Sequence, residues 1–167
     1  TAEPEAATLD AVIVTGTRTT GTKAADSATP IVVLDDAALQ RVGQPNLNQL
    51  LTQLVPRFTA QTQGTDMASF SLSARLRGVS PNQTLLLVNG KRRHGNSILQ
   101  VINGAFGGSA APSIDLIPPD AVQRIEILQD GAAAQYGSDA IAGVINIILK
   151  NSNSGVSAEA NVGQYYD

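Results

Sequence analysis

The stretch that decides the fold is IDLIPPDAVQRIEILQDGAAAQYGSDAIAGVINIILK, residues 114–150. Residues 121–128 predict a β-strand, because apolar and charged side chains alternate along them. An alanine-rich segment at 132–136 predicts a short helix, and Gly137 suits its carboxyl end. Residues 144–149 predict another strand, mostly apolar and interrupted by an asparagine. Short strands and short helices that alternate in this way are typical of an α+β domain.

Two predicted strands carry charged side chains on the face opposite their apolar residues. In the strand just described, Arg124 and Glu126 share the face that points away from the isoleucines. A strand at 72–77 carries Arg75 and Arg77 in the same alternating way. We expect both faces to be ionic outer faces. Their charges either are solvated or pair with charges on a partner, and the pattern alone leaves both interpretations open.

Further elements precede and join these strands. Residues 31–34 predict a strand, and Asp35 or Asp36 can cap a short helix that ends at Gly43. A second helix begins at Asn46, with Gln three residues later as in a capping box. Its apolar face is formed by Leu47, Leu50, Leu51 and Leu54. With the other strands, these elements predict an α+β fold with a small mixed β-sheet, short helices and long loops.

A buried strand, a tight turn and a long loop are predicted between residues 85 and 112. Residues 85–88 are apolar on both faces, as in a central strand, and Asn89-Gly90 is a strong turn signal. The cationic run 91–94 is expected to be a solvated turn. Residues 95–112 are glycine-rich and longer than an ordinary connection, which is typical of a functional or mobile loop.

Composition excludes several function classes. The formal net charge of -3 offers no attraction to nucleic acid, so we expect no nucleic-acid partner. The chain has no cysteine and a single histidine, His94, so a protein-built transition-metal site and a cofactor are not expected. That histidine would have to serve any Ser-His-Asp triad, and no serine lies in a nucleophile-elbow motif; we expect no enzyme activity.

The amino-terminal region, residues 1–29, is expected to be a flexible segment that contains one strand-forming stretch. A polar, glycine-containing run at 16–29 separates this stretch from the domain that begins at Pro30. It could pair edge-on with a strand of a partner protein, or it could be a frayed first strand of the domain. Its residues are Ala11, Val12, Ile13, Val14 and Thr15. The chain begins with Thr1, which suggests a mature chain or a fragment.

Several motifs resemble one known family. Residues 124–126 (RIE), 136–137 (YG) and 140–150 (AIAGVINIILK) resemble the most distinctive stretch of the plug domain of TonB-dependent outer-membrane receptors. Upstream, Leu76-Arg77-Gly78 and TLLLVNG at 84–90 are similar to the family's I-R-G motif and to its apolar strand before a turn. In addition, LDAVIVTG at 9–16 resembles a TonB box. One departure is QDG at 129–131, where many members carry R-G-P.

The resemblance implies a domain organisation and a location. Residues 1–29 would be the flexible segment with the TonB-box-like strand, 30–150 the plug domain, and 151–167 the start of the first barrel strand. The plug would lie inside an outer-membrane β-barrel with its amino-terminal segment facing the periplasm. That barrel needs about 22 strands of about 10 residues, more than this chain supplies. The barrel domain is therefore expected to be missing here.

The resemblance also implies partners and site residues. The partners are the TonB C-terminal domain, the protein's own barrel domain and a small-molecule or metal-chelate substrate. We also expect weak self-association of the isolated domain. The residues expected to contact the barrel wall are Arg77, Arg124 and Glu126. Those expected to form substrate-sensing loops are Gly95, Asn96, Ser97, Asn103 and Gly104. The alternative is a free-standing periplasmic interaction domain that binds a partner through the amino-terminal strand.

Overall fold

The computed structural model describes residues 30–44, 46–61, 72–99, 101, 107–129 and 132–151. In this part of the chain the strands are β1 (Ile31–Asp35), β2 (Phe58–Gln61), β3 (Ser73–Leu76), β4 (Thr84–Val88), β5 (Lys91–Arg92), β6 (Val122–Leu128) and β7 (Gly143–Leu149). The α-helices are α1 (Asp36–Val42), α2 (Leu47–Leu54) and α3 (Ala133–Tyr136). Short 3-10 turns lie at Pro81–Gln83, Pro119–Ala121 and Ser138–Ala140. The predicted α+β class is confirmed.

The main sheet of the described residues has five strands in the order β1-β6-β7-β4-β5. β6 runs antiparallel to both of its neighbours, β1 and β7. β4 and β7 are parallel, so the sheet is mixed, as predicted. β2 and β3 form a separate antiparallel pair. β2 was absent from the sequence-based prediction, because only Phe58 of its four residues is a large apolar residue.

The local signals at both longer helices act as predicted. The Asp35 carboxylate accepts a hydrogen bond from the Ala38 amide at 2.8 Å, which caps α1. Gly43 ends that helix with a φ of 60°, in the left-handed region that glycine tolerates. The Asn46 side chain accepts a hydrogen bond from the Gln49 amide at 3.1 Å, which caps α2.

Apolar clusters cover both faces of the main sheet. On one face, the leucines of α1 and α2 pack with Phe58 and Leu76 against isoleucines of β6 and β7. On the other face, a smaller cluster joins Leu85, Leu87 and Val144 to the alanines around α3. Residues of β4 contribute to both clusters, which explains why its sequence is apolar without alternation.

Candidate functional site

The β4–β5 hairpin is held in place by two asparagines. Asn89 and Gly90 have φ values of 50° and 75°, as a tight hairpin turn requires. The Asn89 side chain accepts a hydrogen bond from the Leu149 amide at 2.9 Å, and the Gly90 amide donates one to Asn146 Oδ1 at 3.0 Å. Asn146 is fully buried in β7. The polar residue inside this apolar strand therefore positions the turn of a neighbouring hairpin.

Arg92 ties the hairpin to the segment after α3. Its Nη1 forms an ion pair with Asp139, and its Nη2 donates to the Tyr136 carbonyl at 3.1 Å. Both ion-pair partners are partly exposed, so the pair is hydrated and contributes little to stability. The cationic run 91–94 is therefore not simply a solvated turn, because one of its members makes a specific contact.

The loop after the hairpin begins with a close backbone approach. A Cβ atom at Gly95 would lie 2.2 Å from the carbonyl oxygen of Ala110, so the two ends of the loop meet at a point where only glycine fits. Asn96 turns the chain, since its side chain accepts a hydrogen bond from the Ile98 amide at 3.0 Å. Ser97 is exposed. Asn103 and Gly104 lie outside the described residues, so their role in a substrate-sensing loop stays a prediction.

A cavity of about 420 Å³ lies between β4, the end of the hairpin and the returning loop. Its walls combine arginine side chains and one carboxylate with several small or apolar residues. They are formed by Pro81, Asn82, Thr84, Leu85, Leu86, Arg92, Arg93, His94, Gly95, Ala110, Ala111, Pro112 and Asp139. Of the residues predicted for the substrate-sensing loops, Gly95 lines this cavity, together with Arg93 and His94 just before it in the chain.

Arg77 lies at the end of β3 in an unusual backbone conformation. Its φ is 59°, in the left-handed region that non-glycine residues rarely adopt. Its amide donates to the Arg57 carbonyl at 2.9 Å, and its Nη1 donates to the Gln129 carbonyl at 3.3 Å. The residue is exposed, as predicted. Arg75, on the same strand, is half-buried, and this burial lowers the pKa of its guanidinium.

The expectation that Glu126 lies on an ionic outer face is wrong. Glu126 is fully buried, and Arg124 Nε donates to its Oε1 at 2.9 Å. The reason is the sheet order, because β6 is an interior strand with apolar clusters on both faces. The carboxylate is tolerated there because it is paired and hydrogen-bonded. The Arg124 side chain is 21% exposed, so it alone of the pair reaches the surface.

The described residues contain no group of three or more His, Asp or Glu side chains arranged to hold a metal ion. Among their helices, none combines the length and the apolar character that crossing a membrane requires. The amino-terminal stretch from Ala11 to Thr15 and the tail after Asn151 lie outside the described residues. The predictions made for those two segments therefore stay predictions.

Residues 23–144 match the model of the TonB-dependent Receptor Plug Domain family. Two vitamin B12 transporters, BtuB of Vibrio vulnificus strains CMCP6 and YJ016, are each 34% identical to this chain. Each alignment covers 95% of this chain and 24% of the transporter. The chain therefore spans about a quarter of the length of these relatives.

Solved structures of siderophore receptors have the same fold. A mutant of the ferric enterobactin receptor of Pseudomonas aeruginosa, in complex with enterobactin, is 25% identical with a TM-score of 0.55, over 77% of this chain and 18% of the receptor. The siderophore receptor PirA of Acinetobacter baumannii is 26% identical with a TM-score of 0.54. The match covers 72% of this chain and 17% of that receptor. By the family match and by these relatives, the chain belongs to the plug domains of TonB-dependent receptors.

Proposed function

We propose that this plug domain is the gate of a TonB-dependent outer-membrane transporter. Residues 30–150 would fill the lumen of a β-barrel that begins with residues 151–167. Loops that include Gly95, Asn96, Ser97, Asn103 and Gly104 would contact bound substrate. Tension on the flexible segment 1–29, which faces the periplasm, would rearrange the domain and open a path.

The observation that carries this proposal is the way the chain matches its relatives. The alignment runs along 95% of this chain but only 24% of a vitamin B12 transporter, as expected for one domain of a larger protein of that kind. A barrel lumen is polar, which suits the exposed Arg77 and the half-buried Arg124 as wall contacts. Glu126 is buried and paired with Arg124, so it would not contact the barrel wall itself. It would influence the wall contact only by positioning the Arg124 side chain.

The same relatives support a proposal for the substrate class. One group is named for vitamin B12 and the other for ferric enterobactin or siderophores. We propose a substrate of this class, moved unchanged across the membrane, with no enzyme reaction and no cofactor of the domain's own.

Partner binding through the amino-terminal stretch gives the experiment that tests the proposal. If Ala11 to Thr15 add a strand to the TonB C-terminal domain, Val14→Pro should abolish binding, because proline removes a backbone donor and disfavours strand pairing. Isothermal titration calorimetry with the purified TonB domain measures the affinity. Ala6→Pro, ahead of this stretch in the same flexible segment, is the matched control and should bind like the wild type.

Unchanged affinity of Val14→Pro would contradict the proposal. The alternative, a free-standing periplasmic interaction domain, uses the same stretch but never occupies a barrel. It is not favoured by relatives that are transporters and receptors several times longer than this chain. The coding sequence downstream of Asp167 separates the two, because a transporter requires it to continue into alternating strands.

A further inference from the structure

Asn48 is a buried polar residue on the leucine-rich helix α2. It is 2% exposed, and its neighbours Leu47, Leu50 and Leu51 are fully buried. In the described part of the chain, neither Oδ1 nor Nδ2 of its carboxamide has a hydrogen-bond partner. Buried carboxamides are nearly always hydrogen-bonded, since the loss of hydration is otherwise uncompensated. Asn48 therefore holds a donor and an acceptor that the described residues leave unused.

The residue lines a cleft of about 480 Å³ between α2, β2 and the chain just before β3. The other described lining residues are uncharged, and most carry an amide or a hydroxyl group. They are Gln44, Asn46, Gln49, Thr52, Gln53, Ala60 and Leu72. An unsatisfied buried amide and a cleft lined with amides are independent observations at one place, and together they indicate a ligand site.

The lining also restricts the chemistry of the ligand. A charged ligand would lose hydration in the cleft without meeting an opposite charge among the described lining residues, which is unfavourable. None of the described lining residues is aromatic, so the cleft offers no stacking surface for a sugar ring or a base. Carboxamides supply donors and acceptors in pairs. The matching ligand is therefore uncharged and presents a donor beside an acceptor.

We propose that this cleft binds an uncharged amide ligand, with the Asn48 carboxamide as its central contact. Nδ2 would donate to the ligand carbonyl while Oδ1 accepts from its N–H, which closes a ring of two hydrogen bonds. A primary carboxamide presents this pair, and so do the N–H and C=O of one residue in an extended peptide. Because Gln49, Thr52 and Gln53 are exposed and Asn48 is covered, binding requires the rim to open. The proposal does not depend on the gating function.

Titrations of the whole 167-residue chain, followed by ¹H–¹⁵N NMR, test this site. The probes are acetamide and the capped peptide N-acetyl-trialanine N-methylamide, with acetate as a charged probe of the same shape as acetamide. We expect saturable shifts of the Asn48 side-chain NH₂ resonance with an amide probe and none with acetate. Tighter binding of acetamide would indicate a small carboxamide as the source, and tighter binding of the peptide an extended segment.

Two variants complete the test. Asn48→Leu keeps the number and branching of the side-chain heavy atoms but removes both hydrogen-bonding groups, so it should weaken binding about tenfold or more. Gln40→Leu makes the same change on the exposed side of α1, outside the cleft, and should leave affinity unchanged. Equal binding by Asn48→Leu, equal shifts with acetate, or no saturable shift with either amide would overturn the proposal. If Asn48→Leu does not fold, the contrast between acetamide and acetate on the wild type decides.

Discussion

At the scale of single residues, Gly95 is a position where the backbone leaves no room for a side chain. An added Cβ would lie 2.2 Å from the Ala110 carbonyl oxygen, which belongs to the backbone and cannot turn away as a side chain can. We expect Gly95→Ala to lower the free energy of unfolding by about 1–3 kcal/mol, the usual effect of forced overpacking. Urea denaturation measures it.

Ser97→Ala is the matched control for this substitution, because Ser97 is exposed two residues further along the same loop. Its effect should stay within about 0.5 kcal/mol. If Gly95→Ala were as stable as Ser97→Ala, the contact between the two ends of the loop would not exist in solution.

The burial of some single residues could be predicted from the sequence, and the burial of others could not. The leucine face of α2 follows from spacing alone, and Leu47, Leu50 and Leu51 are indeed fully buried. Asn48 and Glu126 are buried as well, although polarity predicts exposure for both. Their burial depends on which strands and helices cover them, and this is set by contacts between residues far apart in the chain.

At the scale of elements, the hairpin depends on a residue in another strand. Asn146 accepts a hydrogen bond from the Gly90 amide, while the Asn89 amide donates to the Ile147 carbonyl at 2.8 Å. Asn146→Val should therefore leave the Gly90 amide without its acceptor and lower the free energy of unfolding by about 1–2 kcal/mol. Hydrogen exchange should also become faster at Gly90.

The exchange rate distinguishes this effect from a general loss of stability. Thr59→Val on β2, where Thr59 is exposed, is a control that should change neither the unfolding free energy nor the Gly90 exchange rate. Slow exchange at Gly90 in Asn146→Val would show that another group accepts this hydrogen bond and that Asn146 does not position the hairpin.

Elements with strong local signals were predictable, and their arrangement was not. Asp35, Gly43 and Asn46 act as the caps that their sequence positions indicate. The parallel pairing of β4 with β7 joins segments about 60 residues apart, and no local pattern encodes it. In the candidate site, the glycine content of the sequence indicated the loop that starts at Gly95. The contact of Arg92 with Asp139 was not predictable, because it depends on the pairing of β4 with β7.

At the scale of the whole molecule, the described residues form a sheet that is covered on both faces without help from another chain. The larger cluster includes α1 and α2, and the smaller one includes Ala132 and Ala140 around α3. Among the described residues, the exposed large apolar residues come from several separate segments: Val32, Leu99, Val101, Leu116 and Ile141. Scattered apolar residues of this kind are normal for a stable surface. We therefore expect the domain to fold by itself.

We predict that the tail of the isolated domain, residues 156–166, pairs with the tail of another copy. Residues 156–166 lie outside the described residues, but their alternation predicts a strand whose natural neighbours belong to the barrel. Without them, its open edge can pair with the same strand of a second copy. We expect weak, concentration-dependent self-association in sedimentation velocity, and its loss when the chain is cut after Asn151.

A substitution in the full chain separates pairing of the strand from mere chain length. Val162→Pro should abolish association as the truncation does, because proline removes a donor from the middle of the strand. Ser152→Pro, ahead of the alternating residues, should leave it unchanged. If the truncated chain associates as strongly as the full one, the contact lies in the folded domain, and its exposed apolar residues become the surface to test.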